Sequence, residues 1–242
     1  MKTNFSFRQR WTSWHTYLAR RMGRRDFPLP PGQIDFGDLR QVEPLGPKTA
    51  GDNDQLVERY YAEQFFRREA RDVKGHVLAI GHEHYTPATE GRVKTVTELP
   101  FIDDAELLNS LAIMEDNRYD TLILGHVLHL VYDLDTVMHH AHRVLTGGGV
   151  LLATVPGTCY AARRATEPLS YWRLTRVSLQ KIVEEKFPSR RTKIEMWGNV
   201  IVAMAHLHRV EIQQLTQQEL DYRDEHYPLI LTLTAEKGMG LH

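Results

Sequence analysis

Apolar residues in this chain fall into two patterns: short unbroken runs, and stretches in which they recur every three or four positions. The two alternate most clearly over Tyr119–Gly157. An apolar run at Tyr119–Leu124 predicts a buried strand, and Leu134, Val137, Met138, Ala141 and Leu145 mark one face of a helix. Glycines then turn the chain into a second buried run at Leu151–Val155. This is a βαβ unit, and its unalternating strands imply a parallel sheet covered by helices on both faces. Ligands in such sheets bind beyond the carboxyl ends of the strands. The loop leaving the first of these strands carries His126 and His129, and the second runs out through Thr154, Val155, Pro156 and Gly157.

The same reading extends in both directions. Asn53 or Asp54 is placed to cap a helix whose apolar face holds Leu56, Tyr60, Phe65 and Phe66 and which ends by Lys74-Gly75. Strands are predicted at Val77–Ile80 and Arg92–Val96, a helix over Ser178–Phe187 and a strand at Thr192–Trp197. A further helix over Val200–Leu215 and a final strand at Leu229–Ala235 complete the series. Residues 27–47 are rich in proline and glycine and read as an irregular connector. The chain therefore divides into an N-terminal extension, residues 1–53, and an α/β domain, residues 54–242.

Charge changes the picture only locally. Lys2, Arg8, Arg10, Arg20, Arg21, Arg24 and Arg25 share the first 25 residues with no acidic side chain, while Trp11, Trp14, Leu18 and Met22 recur at helical spacing. A segment of this kind packs as a basic amphipathic helix on its own domain, pairs with a second subunit or another protein, makes a peripheral membrane or anionic-glycan contact through residues 8–25, or is disordered. Over the whole chain 30 basic residues meet 31 acidic ones, so no nucleic-acid partner is expected. The absence of any run approaching ~20 apolar residues argues against a transmembrane segment. With one cysteine, Cys159, and no secretory apolar core at the N-terminus, the expected location is cytoplasmic.

The wording of the βαβ unit resembles class I S-adenosylmethionine-dependent methyltransferases. The resemblance lies in a His-containing loop after an apolar strand, followed by a helix ending RVL-x-x-GG: His129, Arg143, Val144, Leu145, Gly148 and Gly149. Through VLAIGHEHYT at Val77–Thr86, YWRLT at Tyr171–Thr175 and GNV at Gly198–Val200 it extends to methyltransferase-like proteins of sugar and polysaccharide contexts. It implies a Rossmann-like, doubly wound, mostly parallel sheet in which Tyr119–Leu124 would be the fourth strand and Leu151–Val155 the fifth. It also implies S-adenosylmethionine as cofactor, held by Gly81, His82, Tyr85, Thr97, Glu98, Ser110 and Gly125. The family's acidic positions fall at Ala79 in the first strand, at Thr97 at the end of the second and at Ser110, so three carboxylates are absent and weak cofactor binding is expected.

Three functions follow as alternatives. The first is O-methyl transfer to a sugar, glycan or small metabolite, with His126 or His129 as base. Tyr132, Pro156, Tyr171, Trp172 and Arg173 would then hold the acceptor, by ring stacking and by bidentate hydrogen bonds from the guanidinium. The second is a degenerate methyltransferase fold serving as scaffold or partner in a glycan-modifying complex. The third is a divalent metal or other ligand gathered by His82, His84, His126 and His129. No GxSxG, Walker or CxxC motif supports hydrolase, P-loop or thiol-redox chemistry.

Overall fold

A computed structural model describes residues 37, 41–46, 57–81, 92–159, 170–187 and 191–239. The chain divides into two compact units, Met1–Val42 and Glu43–His242. The basic helix expected over residues 8–25 lies outside the described residues. The sheet and the helices that cover it belong to the second unit.

Six strands form one sheet: β1 (Gly75–Gly81), β2 (Val93–Leu99), β3 (Tyr119–Gly125), β4 (Leu145–Pro156), β5 (Lys193–Trp197) and β6 (Ile230–Glu236), in the order β2-β1-β3-β4-β6-β5. β2, β1, β3 and β4 run parallel, and β6 is antiparallel to both β4 and β5. The sheet is thus mostly parallel, as its unalternating strands imply. One expectation needs correction. Between Leu99 and Tyr119 the chain forms a helix and no strand, so Tyr119–Gly125 is the third strand rather than the fourth, and β2 stands at the sheet's edge.

Helices cover both faces. α1 (Val57–Glu69) lays Tyr61, Ala62, Phe65 and Phe66 on Val77, Ile123 and Leu152, and is joined on this side by Val202 of α5 (Val200–Leu207) and Leu220 of α6 (Gln217–Asp221). On the other face α2 (Asp104–Ala112), α3 (Leu134–Val144) and α4 (Arg176–Glu184) bury Leu107, Leu111, Val137, Met138, Ala141, Leu179 and Val183 against Leu78, Leu122, Leu124 and Leu151. The period-two alternation of β1, β3 and β4 feeds both cores at once, which is why their sequences are apolar throughout.

Several boundaries differ from the sequence reading. α1 stops at Glu69, before Lys74-Gly75. The helix expected to run to Leu215 stops at Leu207. There Arg209 adopts φ +55°, and the amides of Arg209 and Val210 reach back to the carbonyls of His206 and Ala205, both bonds closing the last turn. Glycine normally occupies that left-handed position; arginine there gives no stop signal. α2 was not anticipated at all, although Asp103 caps it by accepting from the Glu106 amide at 2.8 Å.

Candidate crevice at the carboxyl ends of the strands

Each parallel strand ends on the same side of the sheet, and β1 and β3 end there on adjacent glycines, Gly81 and Gly125. Gly81 has φ +111°, and a Cβ added to it would run into the Gly125 carbonyl. Two glycines side by side bring the backbones of the central strand ends close together, with the Val127 side chain packed beside Gly81.

Beyond Gly125 the chain turns sharply, with His126 at φ +54°. A non-glycine residue in the left-handed region is strained, and such strain gathers at functional positions. Thr154, fully buried in β4, holds the turn in place. The His126 amide donates to the Thr154 carbonyl and to its hydroxyl, both at 3.1 Å, and His126 Nδ1 lies 2.7 Å from the same Oγ1. His126 is therefore fixed in orientation through both backbone and ring.

His129 follows on a single 3₁₀ turn, Leu128–Leu130, its ring 6.3 Å from that of His126 and nearly perpendicular to it. Its Nδ1 is buried and has no hydrogen-bond partner among the described residues. Burial, reinforced by the neighbouring His126 and Arg173, pushes the imidazole down to about 3. His129 is thus neutral at physiological pH and a weak base.

The carbonyl of His129 accepts hydrogen bonds from the amides of Tyr171, at 2.9 Å, and Trp172, at 3.3 Å, which brings the segment after β4 back over the loop. Trp172 Nε1 donates to the Val131 carbonyl at 2.9 Å, and its ring stacks on Tyr132 at 5.8 Å with 24° between planes. Tyr171 meets the edge of Tyr132 at 5.5 Å. Arg173 donates to the Ser170 hydroxyl. Tyr132, Tyr171 and Trp172 stay substantially exposed, so the three rings form an open platform beside the two histidines.

Asp104 is the residue that the sequence reading missed. It opens α2 between the ends of β2 and β3, and its Oδ2 accepts from the Tyr132 amide at 3.0 Å. Its Oδ1 is buried with no partner among the described residues. A buried carboxylate oxygen without a donor is costly and calls for one. The signal was available: acidic residues in tandem, Asp103 and Asp104, follow Pro100-Phe101-Ile102 and stand ahead of Leu107, Leu108 and Leu111, where negative charge favours a helix start.

The other anticipated residues are placed unevenly. Ser110 lies in the last turn of α2, whose final carbonyls are bound by Arg143 at the opposite end of the helix from Asp104 and Tyr132. Thr97 and Glu98 sit on the exposed edge strand, in register with Leu78 and Ala79 and so on opposite faces of the sheet. Pro156 is buried as the last residue of β4, paired with Ile230. Ala79 packs against the α1-side core. His82, His84 and Tyr85 lie outside the described residues, as does the histidine cluster that depends on them. Among the described residues no group of three or more His, Cys, Asp or Glu side chains is close enough to hold a metal. No described helix is long and apolar enough to cross a membrane.

Residues 69–153, which hold β1 to β3 and most of β4, match the methyltransferase domain family. That stretch is similar to a methyltransferase domain. Its structure is similar to a putative S-adenosylmethionine-dependent methyltransferase from Listeria monocytogenes, with 13% identity and a TM-score of 0.49 over 75% of this chain and 98% of that one. A second similar structure is an S-adenosylmethionine-dependent methyltransferase from Archaeoglobus fulgidus, with 16% identity and a TM-score of 0.41 over 73% and 94% of the two chains. No curated protein matches the chain.

S-adenosylmethionine is the cofactor that the methyltransferase-domain match implies, and two features of the strand ends bear on it. Gly81 and Gly125 put no side chain of their own at the ends of the central strands. Asp104 Oδ1 lacks the kind of donor that ribose hydroxyls and the adenine amine supply.

Proposed function

We propose that this protein methylates a hydroxyl group of a sugar-like or other small polyol acceptor. Two observations support the proposal, both in segments that follow the carboxyl ends of parallel strands: Asp104 has a buried oxygen without a partner among the described residues, and His126 is held by a buried threonine. Bound S-adenosylmethionine supplies an electrophilic methyl on a sulfonium. Asp104 would accept hydrogen bonds from the nucleoside part, and the carboxyl ends of β1 and β3 would face the methionine part.

His126 is the base. Its Nδ1 is engaged by Thr154, and we assign its buried Nε2 to receive a hydroxyl proton when Nδ1 is the protonated one. His129 is unsuited to that step because its imidazole resists protonation, and its part is to anchor Tyr171 and Trp172 through its carbonyl. Tyr132, Tyr171 and Trp172 offer ring faces to the C–H face of a sugar, with Arg173 at their border to meet acidic or hydroxyl groups. Most of the rate comes from holding the acceptor oxygen in line with the methyl group.

Calorimetry with S-adenosylmethionine and S-adenosylhomocysteine, followed by a homocysteine-release assay over a panel of hydroxylated acceptors, tests this reading. Asp104→Asn should weaken cofactor binding by ~10-fold or more, the loss of one charged hydrogen bond. His126→Ala should spare cofactor binding and lower turnover by ~100-fold or more. Failure of the unmodified protein to bind either nucleoside at millimolar concentration would favour a second reading, a scaffold role, which Ala79 supports because it puts a methyl group where the resembling enzymes carry an acid.

A further inference from the structure

Among the described residues β2 is the end strand of the sheet. Its one strand neighbour among the described residues is β1, and five consecutive residues, Lys94 to Glu98, are exposed. Val96 at its centre is 42% exposed, a β-branched side chain left in solvent at the middle of a strand. An edge strand this open offers a row of backbone donors and acceptors to any strand that approaches, and soluble proteins usually blunt such edges. β2 carries one charge of each sign, Lys94 and Glu98, equidistant from Val96.

That spacing gives the strand a two-fold sense. Read Val93-Lys94-Thr95-Val96-Thr97-Glu98-Leu99 against a reversed copy centred on Val96, and each Lys94 lies opposite a Glu98, each Thr95 opposite a Thr97, and Val96 opposite itself. The register of β2 against β1 shifts between Val93 and Thr95, so the regular ladder runs from Thr95 to Leu99 and Val93 lies outside it. Opposite charges, paired threonines and β-branched residues are the combinations that stabilise antiparallel neighbours. Because residues paired across antiparallel strands project to the same face, every Lys94–Glu98 pair is brought together on one side of the sheet. Sliding the copy by two residues in either direction breaks both charge pairs. Pro100 follows Leu99 directly and limits extension of the ladder beyond the strand.

We infer that β2 is a homodimer interface, pairing antiparallel with β2 of a second copy about a two-fold axis at Val96 and joining two six-stranded sheets into one. The contact is isologous and self-limiting, since pairing consumes the open edge of both copies. The strand alone is narrower than a standard interface, so association is concentration-dependent, with a dissociation constant on the order of micromolar. The inference is independent of the proposed activity and does not involve the crevice histidines.

Sedimentation velocity on the full chain over a concentration series, at low and high salt, tests it. The unmodified protein should shift from monomer to dimer as concentration rises. Lys94→Glu and Glu98→Lys, which place like charges across the axis, should each raise the dissociation constant by ~100-fold or more. Mixing these two single variants should restore a one-to-one dimer, because both strand carboxylates of the first then face the two strand ammonium groups of the second; the double variant K94E/E98K should dimerise by itself. Both charges are solvent-exposed, and recovery on mixing shows that each variant is folded. A monomer at all concentrations, single variants that dimerise like the parent, or a mixture that stays monomeric would each overturn the inference.

Discussion

Arg143 of α3 closes the end of α2 by donating to the carbonyl of Leu111 at 2.7 Å. The same guanidinium reaches the carbonyl of Met114 at 2.6 Å and pairs with Asp116, so one side chain satisfies several carbonyls that a helix end leaves open. This is the physical content of the arginine in RVL-x-x-GG: it ties α3 to α2 across the β3 connection.

Replacing Arg143 with alanine should therefore destabilise the fold by about 2 kcal/mol, through the loss of charged hydrogen bonds to partly buried carbonyls. Lysine should recover only part of this, since one ammonium cannot reproduce a planar fork. Urea unfolding checks it: the midpoint should fall with the slope unchanged.

Acidification should act through His129. Its folded-state value, about 3, lies below the ordinary histidine value of 6.5, so between these values the unfolded chain binds a proton that the native chain refuses. Stability is unaffected by this group above pH 6.5 and declines as pH falls from 6.5 toward 3. Melting temperatures across that window should fall less steeply for His129→Asn than for the parent; parallel profiles would show that the ring is freely solvated.

Gly81→Ala tests whether that glycine serves the cofactor or the sheet. The sequence suggests backbone approach by a ligand, but in the structure an added Cβ meets the Gly125 carbonyl first, at a φ that L-residues rarely adopt. The variant should lose thermal stability, with a lower melting temperature even when no nucleoside is present. A variant that melts like the parent yet fails to bind nucleoside would assign the glycine wholly to the ligand.

Thr154 is predicted to set the orientation of the base. Thr154→Val keeps shape and removes the oxygen beside His126 Nδ1. Turnover should drop ~10-fold or more with little change in nucleoside affinity, and Thr154→Ser should restore most of it. Activity kept by Thr154→Val but lost in Thr154→Ser would mean that the methyl group, rather than the hydroxyl, is what matters.

Legibility in the sequence followed burial. β1, β3, β4 and β6 are buried on both faces, so each appears as an apolar run within two or three residues of its true bounds at each end, apart from the glycine-rich start of β4 at Leu145–Gly149. α3 announces itself through its apolar stripe and the cap of Asp133, whose carboxylate accepts from the Thr136 amide at 3.0 Å. What stayed hidden depends on contacts distant in sequence or on unusual backbone. Arg209 ends α5 from a left-handed conformation that its residue type does not advertise. Asp104 acquires its meaning from Tyr132, 28 residues later. Thr154 reads as one more small residue in an apolar strand until the turn at His126 is seen beside it.

The position of β6 governs the order in which the sheet can be completed. It comes after β5, α5 and α6 in the chain, yet it lies between β4 and β5, and it is the only described strand with which β5 pairs. During synthesis β1 to β4 can assemble from neighbouring contacts as they emerge, whereas β5 must wait, unpaired, until residues 230–236 have been made and inserted. A chain arrested between Trp197 and Ile230 would hold a four-stranded sheet with an apolar flank open along β4, the state in which a chaperone would find it.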